Sequence, residues 1–277
     1  MLEAAACVVK LVSYAASLAG AGATLAWASL ADDLPWARPH VARVTVAAAP
    51  TIILSAVAAT ALLTIQLGGV NAGVLRAVLQ GPNGFALALQ LGGASLLLAT
   101  ARGDGSPKVR MAAAIAILAS FGVLGHPASM YLGGGVVAAA HVGAAAWWLG
   151  ALLLLRHACT ALPNAALARA VRRFSCQAVR IVTALLAAGA LLALLLVRVD
   201  QVLRLTPYVQ MLGAKVGVAA TVLAVAVYNK FRLTPRVLAE DAGATRELRR
   251  SIDVEIALFA AVLAVTAWLT TFDSPHE

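Results

Sequence analysis

The sequence predicts an all-α polytopic membrane helix bundle, and three observations predict it. Of its 277 residues, 62% are hydrophobic and 12% are charged, whereas soluble domains run at roughly 45–50% apolar and about 25% charged. The mean hydropathy is +0.89. The apolar residues fall in long uninterrupted runs, without the alternation of barrel strands. A bilayer accepts such a surface as its solvent. Inside it the backbone must satisfy its own hydrogen bonds, which a helix does.

A span needs roughly 20 apolar residues at about 1.5 Å of rise each. The runs place helices near residues 6–30, 44–67, 83–101, 110–126, 136–156, 177–197, 208–229 and 252–272, about eight in all. Ala26-Trp27-Ala28 is faintly like a leader cleavage site. The amino end lacks a basic cluster, however, and its apolar run is long enough to span, so it reads as the first membrane helix. The longest polar stretches, 157–175 and 230–251, are too short for a separate domain. Residues 1–277 therefore read as one transmembrane domain.

Topology follows from the basic residues. The loops after odd-numbered helices carry 16 of the 21 Lys and Arg residues. The opposite side has Lys10, Arg76, Arg198 and Arg204, and Lys215 lies inside a span. The positive-inside rule then puts both termini on the periplasmic side of a bacterial cytoplasmic (inner) membrane. The net charge of +9 is accounted for by these loops, and no nucleic acid is expected as a partner. The lipid bilayer is the expected surrounding.

Several chemistries are excluded by their missing motifs. There is no Gly-rich phosphate loop, GxSxG, HExxH or CxxC, so no enzyme activity is expected. The three cysteines, Cys7, Cys159 and Cys176, lack the spacing of a disulfide framework or a zinc site.

Polar groups inside a membrane are expensive, so each needs a reason. His40 and His157 fall on the cytoplasmic side, where a solvated or headgroup-level role is expected. His126 closes the fourth helix at the outer face, His141 lies a turn or two inside the fifth, and His276 follows the eighth. These three imidazoles share one membrane side with the thioethers of Met130 and Met211 and the thiol of Cys7. Imidazole and soft sulfur donors together suit copper. Taken singly, a His in an apolar helix is more often a hydrogen-bonded structural residue, and a lone Met is usually packing. The other buried polar groups are Lys215, Asn229, Asp253 and Glu255. Lys215 either repels cations or ties helices together. Asp253 is expected to face Arg249 or Arg250, and Lys215 and Glu255 lie at different depths. Trp27, Trp36 and Trp268 are belt-like, whereas Trp147 and Trp148 are mid-helix. Gly150 beside them permits close helix approach.

In order along the chain, these residues resemble the CopD family of bacterial copper resistance and uptake membrane proteins, best over residues 120–277. Gly125-His126-Pro127-Ala128 looks like the family's Gly-His motif. The run from His141 through Trp147-Trp148-Leu149-Gly150 is similar to its His-Leu-x4-Trp-x-Gly-Gly signature, with Ala151 in place of the second Gly. Arg173-Phe174-Ser175 looks like the entry to the sixth helix, and Lys215 falls where the family has a Lys. The run from Tyr228 to Arg236 resembles an Asn-Arg-x-Arg-Leu-Thr-Pro-x-Leu turn, and Leu248 to Glu255 resembles the entry to the eighth helix. Residues 1–119 match in general pattern only.

The resemblance implies transport or handling of copper ion across the cytoplasmic membrane. It implies His126 and His141 as candidate metal residues, with Met130, Met211 and His276 as helpers. Lys215, Trp147, Glu255 and Asn229 are further functional candidates. Some relatives carry a CopC-like copper-binding domain, and these residues hold none, which implies a separate periplasmic CopC-like partner. Two alternatives stay open. One is a membrane haem-binding redox protein, since two His on neighbouring helices can ligate haem. The other is an assembly partner in copper homeostasis that holds no metal.

Overall fold

The computed structural model describes residues 1–30, 35–101, 106–124, 132–197, 206–241 and 243–272. Among them every regular element is helical. The long elements are α1 (Leu2–Leu30), α2 (Arg38–Gln66), the short α3 (Ala72–Gln80), α4 (Pro82–Ala101), α5 (Pro107–Val123) and α6 (Leu132–Ala161). They continue with α7 (Asn164–Leu196), α8 (Pro207–Tyr228), the short α9 (Thr234–Leu238) and α10 (Ala244–Phe272). Seven are long and apolar enough to cross a membrane. The remaining long helix, α5, has 17 described residues, the length of the shortest spans, and packs against α4, α6 and α1.

Each of the eight expected apolar runs is a helix, but most are longer than apolarity alone predicts. The stretch 157–175, expected as a loop, is nearly all helix, because α6 runs to Ala161 and α7 starts at Asn164. The reason is amphipathicity. Leu167, Ala170 and Val171 are buried while Arg172 and Arg173 face outward, so the helix has an inward stripe even where its mean apolarity drops. Most of 230–251 is helical for the same reason, with Leu233, Val237, Ala244 and Leu248 buried. The amphipathic α3 was not expected. The Asn71 side chain caps it by accepting from the Val74 N–H at 2.9 Å. Gly68 and Gly69 before it take positive φ, which glycine alone adopts freely.

The core is α1 crossing α6, flanked by α2, α4 and α5. The crossing is backbone on backbone. A Cβ added to Gly150 would stand 2.1 Å from the Gly22 carbonyl carbon, and one added to Gly22 would stand 1.9 Å from the Ala146 carbonyl oxygen. The close approach expected beside Gly150 is therefore present, and small residues make it, as at other membrane helix contacts. Gly93 admits Ile117 in the same way between α4 and α5.

Polar ties close both ends. At one end the Lys10 ammonium donates to the Thr270 carbonyl at 2.5 Å, and Tyr14 meets the Thr270 hydroxyl at 3.2 Å, joining α1 to α10. At the other end Arg156 of α6 pairs with Asp253 of α10 at 2.5 Å. Asp253 thus finds Arg156 rather than its helix neighbours Arg249 or Arg250, because the α6 side chain reaches it across the interface. Arg110 donates to the Thr100 carbonyl and lies over the Trp27 ring, 5.8 Å from its centroid. Beyond α9, Arg236 holds Asp241 at 2.8 Å and Glu247 at 2.5 Å. The Gly243 backbone N–H and then Arg236 hold the Asp241 carboxyl below the usual carboxylate range.

Candidate functional site

His141 stands nine residues beyond the first residue of α6. That is about 13 Å along the helix axis. It is thus deeper than expected, because α6 begins at Leu132. Its Nδ1 lies 3.1 Å from the Leu185 carbonyl oxygen of α7. A carbonyl only accepts, so Nδ1 carries the hydrogen and Nε2 keeps its lone pair free. The contact depends on Gly189, one turn further along α7. A Cβ there would stand 2.9 Å from His141 Cε1 and 3.2 Å from Nδ1. The missing side chain lets the ring lie against the α7 backbone and reach the second lone pair of a helix carbonyl.

The charged candidate is Lys215 of α8. It stands eight residues into α8, about 12 Å along that axis. His141 and Lys215 therefore share a depth. Met211 lies one turn before Lys215 on the same side of α8 and is half-buried. His141, Lys215 and Met211 thus stand in the same half of their helices. His126, Met130 and His276 lie outside the described residues. Among the described residues no group of three or more His, Cys, Asp or Glu side chains gathers as a metal cluster.

The second polar centre lies toward the end of the bundle closed by Arg156 and Asp253. Glu255 of α10 is 2% exposed and Asn229 is 8% exposed. The Asn229 Nδ2 donates to Glu255 Oε1, while Asn229 Oδ1 has no hydrogen-bond partner among the described residues. The Trp148 indole lies within reach as a second donor to the carboxylate. Asn229 opens a π-turn, Asn229–Leu233, in which the Thr234 N–H bonds the Asn229 carbonyl. Pro235 explains the turn: it has no N–H, and its ring clashes with the carbonyl four residues back, so the ladder slips by one residue. Lys215 makes no pair with Glu255, as their different depths predict.

The two mid-helix tryptophans have structural partners. Trp147 Nε1 donates to Ser29 Oγ at 2.8 Å, and its ring stacks on Phe174 with centroids 5.9 Å apart. It ties α6 to both α1 and α7. Trp148 meets Phe259 edge-on. His40 and His157, expected at a solvated or headgroup level, are half-buried and stack on each other at 4.2 Å between centroids, with Trp36 beside His157. The signal missed in the sequence is that His40 opens α2 and His157 closes α6, which places both at one end of antiparallel neighbours.

Long apolar helices, backbone crossings made by small residues and a few buried polar groups define a polytopic helical membrane protein. A family model, CopD, copper resistance protein D, matches residues 168–269, so from α7 to α10 the chain is similar to that family. The match includes Met211, Lys215, Asn229 and Glu255, while His126 and His141 precede it. Comparison with curated proteins and with solved structures gave no match.

Proposed function

We propose that the protein transports or handles copper at the bacterial cytoplasmic membrane, with the ion captured in the periplasmic half by His141. The observation that carries this reading is the His141–Leu185 hydrogen bond. It fixes the tautomer and leaves Nε2 as a ligand in the outer part of the bundle. Met211 supplies a thioether one turn from Lys215, and soft sulfur with imidazole favours copper. His126, Met130 and His276 are the other proposed donors, expected from the sequence at the same membrane side. Lys215 puts a positive charge at the depth of the ligand, which opposes permanent retention of a cation and suits a site that must release its cargo. The basic asymmetry supports both termini in the periplasm, where a CopC-like partner would deliver or receive copper.

The test is bound copper per protein, measured by mass spectrometry on the purified chain after loading with cuprous or cupric ion. About one equivalent is expected in the parent. His141→Ala and His126→Ala should each lose most of it. Full copper in both variants, or a haem absorption band in place of copper, overturns the reading.

A further inference from the structure

We propose that Glu255 is a proton-binding site in the inner half of the membrane, with Asn229 as its adaptable hydrogen-bond partner, and that copper movement is coupled to the proton it carries. The coupling rests on the copper-transport reading above; the proton site does not.

The argument starts from burial without a counter-charge. Glu255 is 2% exposed in the middle of a helix bundle. The groups facing it are neutral: Asn229 from the π-turn and Trp148 from α6. The charged groups on the elements packed against α10 are engaged or distant. Arg156 of α6 pairs with Asp253, and Arg236 of α9 pairs with Asp241 and Glu247. Lys10 of α1 bonds the far end of α10 at Thr270. Lys215 stands near the start of α8, 14 residues before Asn229. Lys230 and Arg232 extend from the π-turn, with Arg232 exposed, and Arg249 and Arg250 are exposed before Asp253. Among the described residues Glu255 has no ion-pair partner. A lone carboxylate in such a place is costly, and a proton is the ligand that removes the cost.

Asn229 gives the site its second half. In the arrangement observed its amide nitrogen donates to the carboxylate, and its amide oxygen is buried with no donor to accept from among the described residues. When Glu255 gains a proton, the new acid O–H needs an acceptor. Rotation of the Asn229 amide by a half-turn brings that idle oxygen to it. The same Asn229 side chain therefore offers the carboxyl a hydrogen-bond partner in both protonation states. A purely structural tie has no use for this second arrangement. A hard oxygen pair also discriminates against copper itself, which prefers nitrogen and sulfur. Phe231 and Arg232 of the π-turn are exposed, and on the topology proposed above this end faces the cytoplasm, with which the proton exchanges.

Infrared difference spectroscopy on the full chain in lipid vesicles, titrated in H2O and D2O, reads the site directly. The parent is expected to show the carbonyl stretch of a protonated acid, shifted in D2O, absent in Glu255→Gln and displaced in Asn229→Leu. No band assignable to Glu255 overturns the site. Should Glu255→Gln not fold, Glu255→Asp keeps the acid, and a band left unmoved there also overturns the assignment. In copper-uptake vesicles an imposed pH gradient should change the parent's initial rate and leave that of Glu255→Gln unchanged, with bound copper equal in both. A gradient response retained in Glu255→Gln overturns the coupling. A parent that moves no copper under any gradient defeats the transport reading and the coupling together, while the infrared band still decides the proton site.

Discussion

The α1–α6 crossing and the α7–α8 side of the bundle are built on different terms. In the most apolar stretch of α6, 44% of residues are buried, against none in α7 and 6% from α8 into α9. The crossing is held by glycines whose backbones touch. In α8, by contrast, a Cβ added to Gly213 or Gly217 meets nothing within 4 Å. One region is closed by backbone against backbone, and the other packs through side chains, with polar contacts such as His141 to Leu185 and Asn229 to Glu255. His141 sits on the seam between them, and the family match covers the α7–α8 side.

The sharpest way to break this contrast is to add one methyl group on each side. Gly150→Ala forces apart two backbones now in contact and should cost at least ~1–3 kcal/mol, the range of core overpacking. Thermal unfolding in detergent should show a clear drop, or the variant should fail to express. Gly217→Ala should leave the same melting curve unchanged, and an equal drop there would erase the distinction. On the seam, Gly189→Val places atoms where the His141 ring lies. Copper affinity should fall roughly 10–100-fold, the usual cost of disturbing the group that orients a metal ligand, with little change in unfolding temperature. Trp147→Phe removes the hydrogen bond to Ser29 and should cost about 1 kcal/mol, read from the same melts. The smallest effect is expected at Arg156 and Asp253, whose side chains are 46% and 43% exposed. A double-mutant cycle should give under about 1 kcal/mol, shrinking as salt is added.

Acid should loosen the loop tie in a predictable direction. Because the folded state holds the Asp241 carboxyl below its usual range, its contribution is present above the unfolded value of about 4 and is lost as pH falls through the folded one. Hydrogen exchange across residues 236–247 should rise there first.

The helices were legible because apolar runs of spanning length have few other meanings. Their ends were not, since Leu167, Ala170 and Val171 continue α7 as a narrow buried stripe among arginines, and run averages cannot see a stripe. The seam was partly legible. Lys215 and His141 stood out as costly groups in apolar helices, and counting from the outer face puts them at similar depth. That His141 leans on the α7 backbone was not readable, because the signal is an absence, the missing side chain of Gly189. The inner pair was visible as two polar residues, Asn229 and Glu255, but their contact depends on a helix slip that Pro235 causes without specifying its direction.

The central claim is that His141 binds copper through Nε2. X-ray absorption at the copper edge, on the loaded parent and on His141→Ala, tests it most directly. The parent should show imidazole scattering, and the little copper that the variant retains should show less of it. An identical spectrum in both would contradict the claim and leave His141 as a helix tie between α6 and α7.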